Sequence, residues 1–328
     1  MLCDRCGLRG ARVFQAHSRL RLCGECFLED VRVRVWGEVE RWRMVEPGDV
    51  ILMALSGGKD SYVLLESLAL KFKSSRLLGL SIVEGIPGYN RVEDVKALVE
   101  TAKSYSVDVL VVSVKEFTGA SVSEMVSEAR RRGLAESACT FCGLSRRRVM
   151  DYYARALGAT KLATAHNLDD EVQTLIVNIM RGDTVGVLKI HPNSGAPEGG
   201  VRRIKPLRKI YEWETATYAM IRGFAMQTTE CPFIDENPTL RAGVRSILYE
   251  VEKLKPGSLL RALQHLDEVL GEEASKLKGA KIGVCPRCGA PTSSTRTLCK
   301  LCELLEAIGV GEPRYAKLRG EIRQNIAE

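Results

Sequence analysis

The chain has 328 residues, of which 45% are hydrophobic and 27% charged, with a formal net charge of +7 and eleven cysteines. That length carries one substantial α/β core plus one or two small modules, and the composition is that of an ordinary soluble globular protein. No apolar run approaches the roughly 20 residues of a membrane span, and the N-terminus lacks a signal-peptide apolar segment, so membrane and secreted classes are excluded and a cytoplasmic protein is expected. In that compartment thiols stay reduced, and paired Cys-x-x-Cys motifs read as metal sites rather than disulfides.

In chain order, Cys3/Cys6 and Cys23/Cys26, with 16 residues between the pairs, predict a four-cysteine zinc module over residues 1–27. His17 lies between the pairs, but four cysteines already fill a tetrahedral shell, which assigns it to the surface or to an RNA-facing position. Residues 28–44 predict a helix and 46–49, EPGD, a turn. Residues 50–55, VILMAL, form the short continuous apolar run of a buried parallel strand. The strand leads straight into SGGKDS at 56–61, and a helix follows over 60–72.

The alternation then continues. Strands are predicted at 77–83, 109–114 and 161–165, and helices at 92–105, 122–132, 143–157, 168–180 and 212–221. Residues 192–200 read as a loop, and 240–271 as mostly helical. A second module begins near Gly283, with Cys285/Cys288 and Cys299/Cys302 separated by 10 residues. Strand, glycine turn and helix in repetition specify an α/β fold with a doubly wound parallel sheet, flanked by N- and C-terminal zinc-ribbon modules. The expected division is 1–45 for the first module and linker helix, 46–238 for the catalytic domain, 239–282 for a helical arm, and 283–328 for the second module.

SGGKDS matches neither G-x-x-x-x-G-K-[ST] nor G-x-G-x-x-G. The physics is shared with those loops. Gly57 and Gly58 let backbone N–H groups approach phosphate oxygens at a helix N-terminus. Lys59 offers a point charge, Asp60 a carboxylate for Mg²⁺, and Ser56 and Ser61 hydroxyl donors. A second junction, His166-Asn167-Leu168-Asp169-Asp170, places two carboxylates at a strand-to-helix turn. One of them accounts for a helix cap, and the other is free for Mg²⁺ or for orienting a base. His166 at this junction is a candidate nucleotide-binding residue, against the alternative of a packed histidine.

Between the two modules stands a cysteine trio, Cys139, Cys142 and Cys231. Three thiolates leave one position of a metal centre open, and thiolates suit iron–sulfur clusters. A catalytic persulfide on Cys142 or Cys231 and plain packing are the competing readings. Basic runs lie at 130–132, 146–148, 201–210 (five bases) and 276–300 (six Lys/Arg, no acid). Read singly each is a solvated face; together, beside metal sites, they point to a polyanionic partner, RNA first.

SGGKDS resembles the PP-loop of the ATP pyrophosphatases, which cleave ATP between the α- and β-phosphates and adenylate a carbonyl oxygen. CTFCG at 139–143, TAHNLDDE at 164–171, NIMRGD at 178–183, EGIPGY at 84–89 and ECPF at 230–233 resemble the tRNA 2-thiouridine synthetases, in order through most of the chain. The likeness is to the archaeal and eukaryotic branch, which acts on the wobble uridine or the T-loop ribothymidine; CKLCELLE at 299–306 leans toward the wobble enzymes.

The resemblance implies a PP-loop (adenine nucleotide alpha hydrolase-like) fold and ATP-dependent 2-thiolation of a tRNA uridine. It implies ATP and Mg²⁺ at 56–61 with the adenine near 80–83, a 4Fe–4S cluster on the trio, and two Zn²⁺ in the terminal modules. Asp60, Asp169 and Asp170 are its catalytic carboxylates. The implied partners are tRNA, a ubiquitin-like carrier with a C-terminal thiocarboxylate, and a second copy in a homodimer. The rivals are a lysidine synthetase-like ligase, which would not need the trio, and a non-catalytic RNA-binding zinc protein, which would not turn over ATP.

Overall fold

Apolar strands bounded by turns build a five-stranded sheet through the middle of the chain. The computed structural model describes residues 1–89, 92–196, 200–233, 240–277, 283–292 and 296–310. It opens with β1 (Val13–Gln15), β2 (Leu20–Leu22) and the long helix α1 (Gly24–Arg41). Then follow β3 (Val50–Ala54), α2 (Lys59–Lys71), β4 (Arg76–Val83), α3 (Val92–Ser104), β5 (Asp108–Ser113), α4 (Val114–Thr118), α5 (Val122–Arg131) and α6 (Ala138–Ala156). Next come β6 (Lys161–Thr164), α7 (Leu168–Met180), α8 (Thr184–Leu188), β7 (Arg202–Ile204) and α9 (Glu212–Arg222). The chain closes through α10 (Leu240–Leu254), α11 (Ser258–Val269), α12 (Gly271–Lys276), β8 (Gly283–Val284), β9 (Pro291–Thr292) and α13 (Lys300–Ala307).

The large sheet is parallel throughout, in the order β5-β4-β3-β6-β7. The order reverses at β3, so a crevice opens beyond the carboxyl ends of β3 and β6, where open α/β sheets bind ligands. Alternation along β3 feeds both faces of the sheet. Leu52 joins one core with α4, α5 and α6. Ile51 and Met53 join the other with α1 and α2. Gly79 in β4 is required by packing, because a Cβ there would lie 2.8 Å from Val109 Cγ2.

The terminal modules share these cores. Cys3, Leu22 and Cys23 belong to the α1/α2 side, and Cys285, Cys288, Cys299, Cys302 and α13 to the α5/α6 side. Helices α10 and α11 pack on α7, with Leu259 and Leu263 against Leu168 and Val172. The doubly wound α/β fold with a four-cysteine module at each end is therefore the one observed.

Two local differences bear on function. The helix predicted over 143–157 begins at Ala138, because Ser137 caps it by accepting from Thr140 N at 3.3 Å. Cys139 and Cys142 thus ride on a helix rather than in a loop. Within the basic run 201–210, Arg202–Ile204 is the edge strand β7. The proposed limits at 238/239 and 282/283, residues 278–282 and 293–295 of the basic run 276–300, residues 197–199 of the expected loop, and 311–328 of the second module lie outside the described residues.

Candidate active site at the carboxyl edge of the sheet

The turn between β3 and α2 is held by its own hydroxyls. Ser56 N donates to Ser61 Oγ at 2.8 Å, the two serine hydroxyls lie 3.0 Å apart, and Gly58 N donates to Ser56 Oγ at 3.4 Å. Gly57 has φ +82°, a left-handed conformation that favours glycine. The turn delivers the N-terminus of α2, with Ser61 N bonded to Gly58 O at 3.0 Å, and the side chain of Lys59 to the crevice. Burial works against the Lys59 ammonium, but the carboxylates of Asp60 (3.1 Å) and Glu212 (3.2 Å) overcome it and raise its proton affinity.

Asp60 is positioned from two distant segments. Its Oδ1 accepts from Thr215 Oγ1 at 2.6 Å and from Asn167 Nδ2 at 3.2 Å. The second junction divides its carboxylates. Asp170 forms a capping box with Asn167 at the start of α7 and takes a contact from Arg241 at 3.4 Å. Asp169 Oδ2 accepts from Glu212 N at 2.7 Å, and burial, with Glu212 and Asp170 nearby, pushes its carboxyl up to about 6. His166 is 2.9 Å from Thr164 Oγ1, and burial lowers its proton affinity. Arg245 grips both oxygens of Glu212, at 3.0 and 2.9 Å.

A connecting segment runs from this loop to the thiols. Gln227 N donates to Gly57 O at 2.9 Å, and Phe224 stacks on Tyr62 of α2 at 4.9 Å. Four residues after Gln227 comes Cys231. Both Cys142 and Cys231 are half-buried, whereas Cys139 is exposed. Cys142 shares its surroundings with Cys231, Arg146 and the buried Glu84. Burial pushes its thiol up to about 11, Glu84 and Cys231 add to that effect, and Arg146 opposes it. Arg146 Nε lies 3.4 Å from Glu84 Oε1.

The thiols sort by spacing. In each terminal module the four Sγ atoms lie within 4.8 Å of one another. A tetrahedral ion with Zn–S of about 2.3 Å needs sulfurs about 3.8 Å apart, so both sets fit zinc. Among the described residues the trio does not group that tightly. The trio as it stands is therefore not a third shell of the same kind.

Comparison with known proteins agrees with this geometry. Residues 37–231 match the PP-loop domain family. Cytoplasmic tRNA 2-thiolation protein 1 of Aspergillus niger is 32% identical, over 96% of this chain and 90% of its own length; that of Anopheles gambiae is 34% identical, over 92% and 87%. The chain belongs to this family. The U34-tRNA thiolase NcsA from Methanococcus maripaludis, solved with its 4Fe–4S cluster, superposes with a TM-score of 0.78 at 28% identity, covering 95% of this chain and 98% of that one.

In this 2-thiolation family member the first module is braced by a buried polar network. Gln15 Nε2 donates to Asp30 Oδ2 at 2.9 Å and to Glu214 Oε1 at 3.0 Å. Arg34 pairs with Glu214 and with Asp30 at 2.9 Å. His17, expected at the surface, has a side chain only 8% exposed; it stacks on Tyr211 and lies 3.1 Å from Glu214 Oε1. The fully buried Glu214 carboxylate draws it inward, because such a charge must be compensated. Glu214 adjoins Thr215, which holds Asp60. The second module is braced by Arg148, whose Nη2 donates to Cys288 O at 2.7 Å, and by the packing of α13 on α6.

Sequence reasoning did not reach Asn167, Glu212, Thr215, Arg241 and Arg245. The first and third approach Asp60 from 107 and 155 residues away. The one local signal was the capping-box carboxylate in YEWE at 211–214, which marks the start of α9 beside the loop.

Proposed function

We propose that this protein is an ATP-dependent tRNA-uridine 2-sulfurtransferase of the cytoplasm, acting on the wobble uridine. The observation that carries the reading is the physical link from the phosphate loop through Gln227 to Cys231 beside Cys142, which joins a nucleotide site to a thiol site at one sheet edge.

In this reading the backbone amides at the start of α2, the hydroxyls of Ser56 and Ser61 and the Lys59 ammonium bind the pyrophosphate of ATP. Asp60 and Asp169 are the residues that would hold Mg²⁺, which favours carboxylates together with substrate phosphates. Asp170 keeps α7 capped, so that Asn167 stays aimed at Asp60. His166 lies beside the nucleotide, and the adenine lies near 80–83. The uridine O2 attacks the α-phosphorus and pyrophosphate leaves; sulfur then bonds to C2 as the C2–O bond breaks and AMP departs. Adenylation is needed because a pyrimidine carbonyl oxygen is a poor leaving group, and the base must leave its stack to reach the pocket. Cys139, Cys142 and Cys231 would hold a 4Fe–4S cluster, which when bound would carry the incoming sulfur. Arg146 compensates negative charge beside Cys142 and is itself held by Glu84.

The two four-cysteine modules would each hold a structural Zn²⁺. The sulfur source is a ubiquitin-like carrier with a C-terminal thiocarboxylate, and the assembly is a homodimer; both rest on family resemblance. The division at 45, 238 and 282 is kept as part of this proposal. Anaerobic protein incubated with ATP, Mg²⁺, sulfide and tRNA tests the whole. Nucleoside mass spectrometry is expected to find ATP-dependent 2-thiouridine at the wobble position. Thiolation at the T-loop alone would reassign the target, and ATP turnover without any thiolated nucleoside would reject the activity.

A further inference from the structure

The four basic runs of the sequence have different fates in the fold. In 201–210, Arg208 is buried between Glu38 and Asp267, Lys209 joins the same pair, Lys205 meets Glu171 at 2.7 Å, and Arg202 donates to the carbonyls of Trp42 and Arg43. In 130–132, Arg131 and Arg132 share Glu128, and Arg132 also ties down Ala307 O at 3.1 Å. Those runs are largely spent on structure.

The triplet 146–148 is divided by helix geometry, since successive side chains on α6 diverge by about 100°. Arg146 faces Glu84 and the thiols, and Arg148 clamps Cys288 O. Arg147 is left on the exposed face. Burial, joined by the like charges of Arg203 and Arg241 and opposed by Asp151, lowers its proton affinity. Next to it a groove of about 290 Å³ runs between α6 and the second module, lined by Leu144, Arg147, Asp151, Thr292, Arg296 and Lys300 among others. Asp151 is the single carboxylate among its described lining residues, and Arg203 pairs with it at 2.7 Å. Arg296 pairs with Glu303 at 2.8 Å and Lys300 lies 3.5 Å from Glu136, so four bases (Arg147, Arg203, Arg296 and Lys300) share three acids, an excess of positive charge that favours a multivalent anion. The groove has no aromatic side chain of the kind that anchors protein partners. Arg147 lies five residues beyond Cys142, about 7.5 Å along the helix axis.

Resting on the tRNA-thiolation reading, we propose that the groove between α6 and the C-terminal four-cysteine module holds the phosphate backbone of the RNA substrate, with Arg147, Arg203 and Arg296 as its contacts. Arg147 lies about 140° around α6 from Cys142, so a nucleotide flanking the bound backbone reaches the thiols by passing around the helix rather than straight along it. Phosphate contacts set register and affinity, while the choice of base belongs to the pocket.

The test is filter binding of unmodified tRNA to the full metal-loaded chain at several salt concentrations, for wild type, Arg147→Ala, Arg203→Ala, Arg296→Ala, the triple variant and Arg131→Ala. Zinc content and melting temperature report whether each variant is folded. Each groove substitution is expected to weaken binding about 3- to 10-fold and to reduce the slope of log K against log salt by about 1. Arg131→Ala, an equally basic position that is paired with Glu128 and does not line the groove, is expected to bind as wild type does. A triple variant that binds tRNA as tightly as a wild type competent in thiolation overturns the groove and leaves the function standing. Loss of binding to an acidic carrier protein with tRNA binding intact likewise overturns it, in favour of a protein partner. A wild type that neither binds nor thiolates tRNA overturns the functional reading, and the groove with it.

Discussion

The two four-cysteine modules look alike in sequence and do different work in the fold. The first packs on the α1/α2 face of the sheet and reaches the phosphate loop through polar groups: Gln15, His17 and Arg34 converge on Glu214, whose neighbour Thr215 holds Asp60. The second packs on the opposite face through apolar contacts, with α13 against the helix that carries Cys139 and Cys142. One module steadies the phosphate-loop end of the site and the other the helix that carries Cys139 and Cys142. A metal module need not touch the chemistry to support it; it needs only to fix the element that does.

The comparison can be broken most sharply at the metal ligands. Cys23→Ser and Cys285→Ser should each remove one zinc per chain and lower the melting temperature by on the order of 10 °C, since a small module folds on its metal. The first variant should lose ATP affinity and the second tRNA affinity, read by nucleotide and filter binding. Equal losses of both in both variants would mean that the modules act through global stability alone.

Next in size is Glu214→Gln, which leaves Arg34 facing a neutral partner inside the network. Breaking a buried pair costs about 3–5 kcal/mol when the other charge is left alone; Arg34 keeps Asp30 at 2.9 Å, so the cost sits at the low end of that range. The expected result is that much loss in chemical denaturation together with a higher KM for ATP, whereas an unchanged KM would separate the first module from the loop. Lys59→Ala should cost about 2.7–4 kcal/mol of transition-state stabilisation, a 10²- to 10³-fold fall in kcat/KM, with iron and zinc content unchanged.

The smallest effect is in pH. The Asp169 carboxyl, pushed up to about 6 by burial, is ionised only above that pH. Activity should therefore rise with pH through about 6, and the limb should move to lower pH as Mg²⁺ increases, because the cation favours the carboxylate. Asp169→Asn should abolish the limb. Stability should follow the opposite sign: between about 4 and 6 the folded state binds more protons than the unfolded chain, so Asp169 lowers stability as pH rises through that window.

The phosphate loop was legible because its function is written in six consecutive residues that follow a buried strand. The sheet was legible because VILMAL and its successors alternate with helical periodicity. The clamp on Asp60 was not, since Asn167 and Thr215 reach it only after the sheet has closed. His17 was misplaced because sequence cannot reveal the buried Glu214 that draws it inward. Arg146, Arg147 and Arg148 read as one basic patch, but successive side chains on a helix diverge by about 100°, which sends Arg146 to Glu84 and Arg148 to Cys288 O and leaves Arg147 exposed. The Cys139/Cys142/Cys231 trio was legible as three thiols, but its wider spacing, which separates it from the zinc sets, belongs to the fold.

The central claim is that the eleven cysteines divide into two zinc shells and one iron–sulfur site. Iron, acid-labile sulfide and zinc per chain, measured on anaerobically purified wild type and Cys142→Ala, test it directly. The account predicts about four irons and two zincs in the wild type, and loss of the iron alone in the variant. Two zincs with no iron after reconstitution, or iron retained without Cys142, would contradict it.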